Sequence, residues 1–368
     1  MNVAIISPSF NAYSETFIQQ HKKINEKVFF YYGGSVPMYL EGHGKLHTSK
    51  IYRFKNLINK KFGRETAFSS NEYAVYKSFK KNNINVVLAE YGPTAVAVLK
   101  ICNHLQIPLV PHFHGYDATE KTTIHHFKNK YKDLFNYASA VVAVSKKMII
   151  DLIELGCPIE KINLSPCGPS IEFFQVKPIA IKNQFIAIGR FVEKKAPHLT
   201  LAAFKIVNEK YPDSNLVMIG EGELLSVCKH LAELWGIKNK VEFRGILTPE
   251  VIRNNLNESV AFVQHSVVAF NGDCEGTPVA VMEASAASLP VIATKHAGIN
   301  DVIIHGQTGF LVEEFDVKKM AEYMIELIEQ PELARKLGEA GRKNIKDNFS
   351  LEKNLSELKQ VLKKAAAI

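Results

Sequence analysis

The chain has 368 residues, 46% hydrophobic and 22% charged, with a formal net charge of +8. That length predicts two domains of ordinary size, and the composition excludes a disordered chain. No apolar run approaches the ~20 residues of a membrane span, and five scattered cysteines without a CxxC pair argue against a disulfide framework or a structural zinc. The charge is uneven: residues 1–180 carry 22 Lys and Arg against 13 Asp and Glu, and the rest carries 23 against 24. A basic first half suits anionic partners such as nucleic acid, phosphates or a lipid surface. The start, MNVAIISPSF, lacks the basic and long apolar regions of a signal peptide, so the expected compartment is the cytoplasm.

In chain order, strands are expected at 2–6, 26–32, 85–89, 109–113 and 140–144. Runs such as VVL and AVVAV suit strands buried on both faces. The segment Pro166 to Pro178 reads as a linker, after which the pattern restarts. Strands at 184–188, 216–219, 241–244, 259–264, 290–293 and 309–312 alternate with helical stretches such as 198–210 and 223–235. This is the rhythm of a doubly wound parallel sheet. The tail, 351–366, carries Leu351, Leu355, Leu358, Val361 and Leu362 on one helical stripe. It packs either on its own domain or across on the first.

Ligands of open α/β sheets bind beyond the carboxyl ends of strands. Arg190 and Lys195 follow the 184–188 strand and precede a helix, a good place for a diphosphate. Gly276-Thr277-Pro278 turns into another helix, whose free amides at Thr277, Val279 and Ala280 suit phosphate oxygens. Glu275 precedes that helix. Glu283, inside it, lies among apolar neighbours and needs partners, and two ribose hydroxyls would satisfy its carboxylate.

The segment from Glu275 to Val312, with its two glutamates eight apart, resembles the retaining GT-B glycosyltransferase family 4. So do Gly189-Arg190 with Lys195, Gly220-Glu221-Gly222, Phe113-His114-Gly115-Tyr116-Asp117, Val144-Ser145-Lys146 and Pro166-Cys167-Gly168-Pro169. The opening Ser14-Glu15-Thr16-Phe17-Ile18 is similar to the branch that builds colanic-acid-type exopolysaccharides and O-antigens. The resemblance implies two Rossmann-like doubly wound domains, 1–177 for the acceptor and 178–350 for the donor, facing across a cleft. A C-terminal helix, 351–368, follows them, with packing on its own domain and crossing back to the first both left open.

The resemblance further implies transfer of a sugar, with retention, from a nucleotide-diphosphate donor to a saccharide acceptor. A UDP-sugar is the favoured donor and a lipid-linked acceptor the expected one. Arg190 and Lys195 would hold the diphosphate, Glu283 the ribose, and Glu275 the transferred sugar, with Gly276, Thr277 and Pro278 beside it. Gly220 would join the donor site, and Arg244 and Leu247 would line the base pocket. His114 would face the sugar from the first domain and act with Glu275, Arg190 and Lys195 in catalysis. No Asp-x-Asp motif occurs, so neither a metal nor another cofactor is expected.

Some positions depart from the family pattern. The first strand-to-helix loop, Ser7 to Ala12, lacks glycines, leaving Ser14, Glu15 and Thr16 to cap a helix and meet ligand. Asn300-Asp301 stands where relatives have Pro-Glu, and Asp301 reads as a helix cap. Gly33-Gly34 reads as a turn, and Asp117 as a helix cap or a site residue. His112 and His114 are read as facing opposite sides of their strand, with His112 structural; His125 and His126 read as surface residues. The basic and apolar stretch from Lys50 to Arg64 suits either an ordinary amphipathic helix or peripheral docking on anionic inner-membrane lipid. The competing functions are an epimerase or hydrolase of the same fold, a non-catalytic sugar-binding relative, and a nucleic-acid-binding protein. The last lacks any recognised module.

Overall fold

A computed structural model describes residues 1–13, 15–48, 52, 54, 56, 67–179 and 183–367. Ser14 and most of the Lys50–Arg64 stretch, with the readings placed on them, lie outside the described residues.

The first sheet is built from β1 (Asn2–Ser7), β2 (Lys27–Tyr32), β3 (Tyr39–Leu40), β4 (Gly44–Lys45), β5 (Val86–Glu90), β6 (Leu109–Phe113), β7 (Val141–Ala143) and β8 (Ile162–Leu164). Their order across the sheet is β4-β3-β2-β1-β5-β6-β7-β8. All pairings are parallel except those of β3 and β4, a small antiparallel edge outside the expected strands. Two residues give too little periodicity to read a strand from sequence. The apolar runs of β5, β6 and β7 are buried throughout, as a sheet covered on both faces requires.

The second sheet holds β9 (Gln184–Ile188), β10 (Asn215–Ile219), β11 (Val241–Phe243), β12 (Ala261–Gln264), β13 (Val291–Thr294) and β14 (Gly309–Val312). Its order, β11-β10-β9-β12-β13-β14, is parallel throughout and reverses direction between β9 and β12. In the first sheet the corresponding reversal lies between β1 and β5. Crevices open at such points beyond the strand ends, which places Glu90 and Gly189 at the two crevices. The molecule is therefore a GT-B α/β architecture of two Rossmann-like lobes.

The linker contains a short 3-10 turn at Ile171–Gln175, and the Arg342 guanidinium donates to the carbonyls of Phe174 and Val176. The Leu351–Ala366 helix crosses back. Its Leu358, Val361, Leu362 and Ala365 pack with Val3, Ile5, Phe30, Leu88 and Val142 of the first sheet. Leu358 and Leu362 are fully buried there, each contributing roughly 1.5–3 kcal/mol. Asn354 and Lys359 tie the helix down by hydrogen bonds to the Ser165 hydroxyl and the Asn25 carbonyl. Among the described residues no helix is long and apolar enough to cross a membrane.

Candidate active site

The carboxyl ends of β9, β10 and β12 carry three loops that pack on one another. Gly220 has φ +134°, and a Cβ there would lie 2.0 Å from the Gly189 carbonyl oxygen, so only glycine lets the loops after β9 and β10 touch. Phe191 N–H donates to the Glu221 carbonyl at 2.9 Å. This packing fixes the backbone from which Arg190 and Lys195 project. The Lys195 stem lies against Gly189, and its Nζ meets Glu275 Oε1 at 2.9 Å. Arg190 is exposed and lies within electrostatic reach of Lys195.

Glu275 is buried, 8% exposed. Burial alone would push its carboxyl up, but the ammonium groups of Lys195 and Lys194 outweigh it and hold the group at about 2. For Lys195 the order is reversed. Desolvation lowers its affinity for a proton, Glu275 restores part, and Lys194 and Arg190 lower it further. Around Glu275, the Ser266 hydroxyl donates to Oε1 at 3.3 Å. Glu275 N–H donates to His296 Nε2 at 3.1 Å, and His296 Nδ1 contacts Glu314 Oε1 at 2.6 Å. Lys194, which the sequence reading passed over, is the more buried of the two lysines. It spans to Asp273 Oδ1 at 2.8 Å and the Cys274 carbonyl at 3.0 Å, fastening the loop before Glu275.

Beyond Glu275 the chain turns at Gly276 and enters the Val279–Ala286 helix, capped by Pro278. Among the described residues, the N–H groups of Gly276, Thr277, Val279 and Ala280 have no hydrogen-bond partner. Thr277 Oγ1 instead donates to the Val144 carbonyl of the other lobe at 2.6 Å. A Cβ on Gly276 would lie 2.1 Å from the His114 carbonyl oxygen, so the two lobes touch at this turn. Glu283, one and a half helical turns on, is partly buried, and its carboxylate makes no hydrogen bond among the described residues. Burial pushes its carboxyl up to about 7, against the pull of Arg253. Leu247 is a partly buried side chain packed against the large core cluster. Arg244 does not join the others. Its fork is taken by Glu242, at 2.9 and 2.6 Å, and by Asn255 Oδ1.

The first lobe meets this site with the turn after β6. His114 and Gly115 N–H both donate to Asp117 Oδ1, at 3.0 and 2.9 Å, and Gly92 N–H donates to Asp117 Oδ2 at 3.0 Å. Asp117 is thus a buried clamp on backbone amides and makes no side-chain cap on the helix that follows. The expectation that His112 and His114 face opposite sides is wrong. Side chains two apart on a strand share a face, and the two rings lie 4.1 Å apart. The His114 side chain is only 5% exposed and contacts Glu90 Oε2 through Nε2 at 2.7 Å. Its imidazole lies within the lobe while its carbonyl abuts Gly276.

Glu90, at the end of β5, is fully buried. His21 Nδ1 reaches its Oε1 at 2.7 Å, and His112 Nδ1 lies 3.2 Å from Oε2. Neither His21 nor Glu90 carries a sequence signal beyond the latter's place after an apolar run. Cys167, with the other four cysteines, is buried and unbridged; burial pushes its thiol up, but the neighbouring His114 and His21 rings hold it below its usual range. His112, His114 and Cys167 bring ligand atoms within 4.8 Å of one another, as do His21, Glu90 and His112. These side chains could bracket a cation. Bonds of ~2.0–2.3 Å to an ion would hold facing ligand atoms apart, whereas Glu90 meets two imidazoles directly at 2.7 Å. The geometry is that of an ion network.

Further contacts cross between the lobes. Asp301 does not cap its own short helix; its Oδ2 accepts the N–H of Lys146 at 2.8 Å, at the start of the Lys146–Glu154 helix of the first lobe. Cys274 N–H donates to Thr119 Oγ1 at 3.1 Å, and the Tyr13 hydroxyl to the Glu221 carbonyl at 3.4 Å. Glu15 stands at the cap of the Thr16–His21 helix without a side-chain cap bond, and accepts from Ser9 and Tyr91 instead. His125 and His126 are exposed, as read.

Two family models tile the chain: Glycosyltransferase Family 4 over residues 28–173 and Glycosyl transferases group 1 over 170–344. The chain is 27% identical over 288 residues to a protein named for colanic acid biosynthesis, the glycosyltransferase WcaL of Escherichia coli K12. That match covers 76% of this chain and 71% of WcaL. It is 29% identical over 271 residues to the amylovoran biosynthesis glycosyltransferase AmsK of Erwinia amylovora, covering 73% of this chain and 66% of AmsK. The chain thus spans about two thirds of these relatives' length. The structure of Anabaena HepE in complex with UDP-glucose superposes with a TM-score of 0.75 over all of both chains, at 16% identity, which shows a shared fold.

Proposed function

Because the chain belongs to the family-4 glycosyltransferases, we propose that it moves a sugar, with retention, from a UDP-sugar to a lipid-linked saccharide acceptor in cell-surface polysaccharide assembly. The observation that carries this reading is the pairing of Lys195 with Glu275 beside four unpartnered amides. In the transfer, the bond from the anomeric carbon to the diphosphate breaks, and the acceptor hydroxyl bonds to that carbon and gives up its proton to the departing diphosphate oxygen. Negative charge grows on the departing diphosphate. Lys195, Arg190 and the amides of Gly276 and Thr277 stabilise it without a metal ion. Glu275, released from part of its contact with Lys195, accepts hydroxyls of the transferred sugar. Glu283 accepts two ribose hydroxyls, which supply the partners its carboxylate lacks. The base lies by Leu247 and the Gly245 backbone, since the Arg244 fork is occupied. The His114 main chain closes the sugar pocket from the first lobe.

The same reading places the protein in the cytoplasm, docked on anionic lipid through its basic first lobe. Lys121, Lys128, Lys130 and Lys132 are exposed on the Lys121–Tyr137 helix. Anionic vesicles at low salt should retain the protein and release it as salt rises; failure to bind removes the docking.

Donor binding tests the site. UDP and UDP-sugars should raise the melting temperature, and Arg190→Ala should weaken binding about 10–100-fold. Excess chelator should leave turnover intact. A wild-type UDP affinity in the Arg190 variant, or loss of turnover in chelator, overturns the corresponding half of the proposal.

A further inference from the structure

The carboxylate of Glu90 has no exposure, and among the described residues no lysine or arginine pairs with it. A lone buried carboxylate costs several kcal/mol unless a cation and hydrogen bonds compensate it. The groups available are imidazoles: His21 at 2.7 Å on one oxygen, His114 at 2.7 Å and His112 at 3.2 Å on the other. His112 is the spare. Its two ring nitrogens have no hydrogen-bond partner, and its ring lies 4.1 Å from that of His114, so a second charge there would be repelled.

On the other clasping ring, His21 Nε2 has no hydrogen-bond partner either among the described residues. The Cys167 thiol lies within 4.8 Å of the facing ring nitrogens of His112 and His114. Tyr91 lies edge-on to His114 at 4.9 Å, hydrogen-bonded through its hydroxyl to Glu15, with Tyr116 beside it. Phe17 covers the His114 ring at 4.7 Å. Asp117 spends both oxygens on the backbone of the same turn. That turn touches the donor-side segment, since a Cβ on Gly115 would lie 3.0 Å from the Cys274 carbonyl oxygen.

We propose that Glu90 is a positioning residue: clasped by His21 on one oxygen and His114 on the other, it keeps an imidazolium behind the His114–Gly115 turn and so holds that turn as a fixed, positively polarised wall of the sugar pocket. The catalytic consequence rests on the glycosyl-transfer reading, but the charged network does not. Burial works against a charged ring in both His21 and His114, and contact with Glu90 and Cys167 reverses the sign, raising both; His112 is lowered. His21 and His114 act as one coupled pair around the carboxylate.

The test uses the full chain. With 15N-labelled histidine, side-chain NMR should show an imidazole still doubly protonated at pH 8.5, lost in His114→Asn or His21→Asn, and lost in Glu90→Gln. Glu90→Gln should lower kcat about 30-fold with donor KM and UDP affinity within about 3-fold, and add a loss of activity as pH rises from 6 to 8; Glu90→Asp should recover part of kcat. All imidazoles neutral at pH 8.5 in the wild type overturns the proposal, and this reading needs no variant to fold. So does a Glu90→Gln enzyme with wild-type kcat and pH profile. An imidazolium present in a protein that transfers no sugar would leave the network standing and sink the functional reading instead.

Discussion

Each lobe places a buried carboxylate at the crevice where its sheet reverses, and the two are used differently. Glu90 in the first lobe is enclosed by imidazoles with no exposed surface. Glu275 in the second is paired with a lysine whose side chain is 14% exposed, beside backbone amides that have no partner. The first arrangement is satisfied from within. Its partners sit on strand ends and a short helix and have nowhere to move. The second is satisfied provisionally, because a flexible ammonium can turn to an incoming phosphate while the amides wait for one. On the proposed function, the same pairing of charges makes a wall in one lobe and a receptor in the other.

Removing Lys195 should break the receptor most severely. Lys195→Ala should reduce kcat/KM by about 10³-fold or more. It also strands the Glu275 charge, so urea unfolding should show a loss of about 3 kcal/mol. Adding Glu275→Gln should recover the stability and not the turnover; recovery of neither would mean the pair does not matter to the fold. Next comes the contact between lobes. Gly276→Ala puts a methyl group 2.1 Å from the His114 carbonyl oxygen, so turnover should fall about 100-fold while UDP affinity stays within about 3-fold. Equal losses in both would place the strain inside the donor lobe.

Glu283 gives a pH signature of the receptor alone. With its carboxyl raised from 4.5 to about 7, the fold binds a proton that the unfolded chain has released. The stability of the empty protein should therefore fall as pH rises from about 4.5 to 7. Ribose hydroxyls favour the anion, so donor affinity should rise as pH passes through 7, and Glu283→Gln should flatten both trends. Calorimetry at pH 6 and 8 reads the second directly. The smallest effect belongs to the inter-lobe cap. Asp301→Ala should cost about 1 kcal/mol of closed-state stability and change donor KM less than about 10-fold.

Much of this was legible in the sequence where the signal is local. Apolar runs placed the central strands, the residues after them placed Arg190 and Lys195 at a strand end, and the Gly276-Thr277-Pro278 turn placed Glu275 before a helix and Glu283 inside it. What the sequence hid depends on contacts distant along the chain. Asp301 looks like a cap for its own helix, and its partner is 155 positions away. Arg244 looks free until Glu242 and Asn255 fold against it. Lys194 and Lys195 are adjacent and alike in type, and only packing tells the one that fastens the loop at Asp273 from the one that pairs with Glu275. The error over His112 and His114 was of another kind: strand geometry puts them on one face, and applied correctly it brings both toward the Glu90 cluster.

The returning helix has a consequence for synthesis. The face formed by Val3, Ile5, Phe30, Leu88 and Val142 awaits Leu358 and Leu362, which are encoded roughly two hundred residues after β7. At roughly 5–20 residues per second on the ribosome, the lobe translated first keeps a sticky apolar patch bare for some tens of seconds while the other lobe is made. Nascent chains stalled before residue 351 should therefore be the species that chaperones retain and that aggregates.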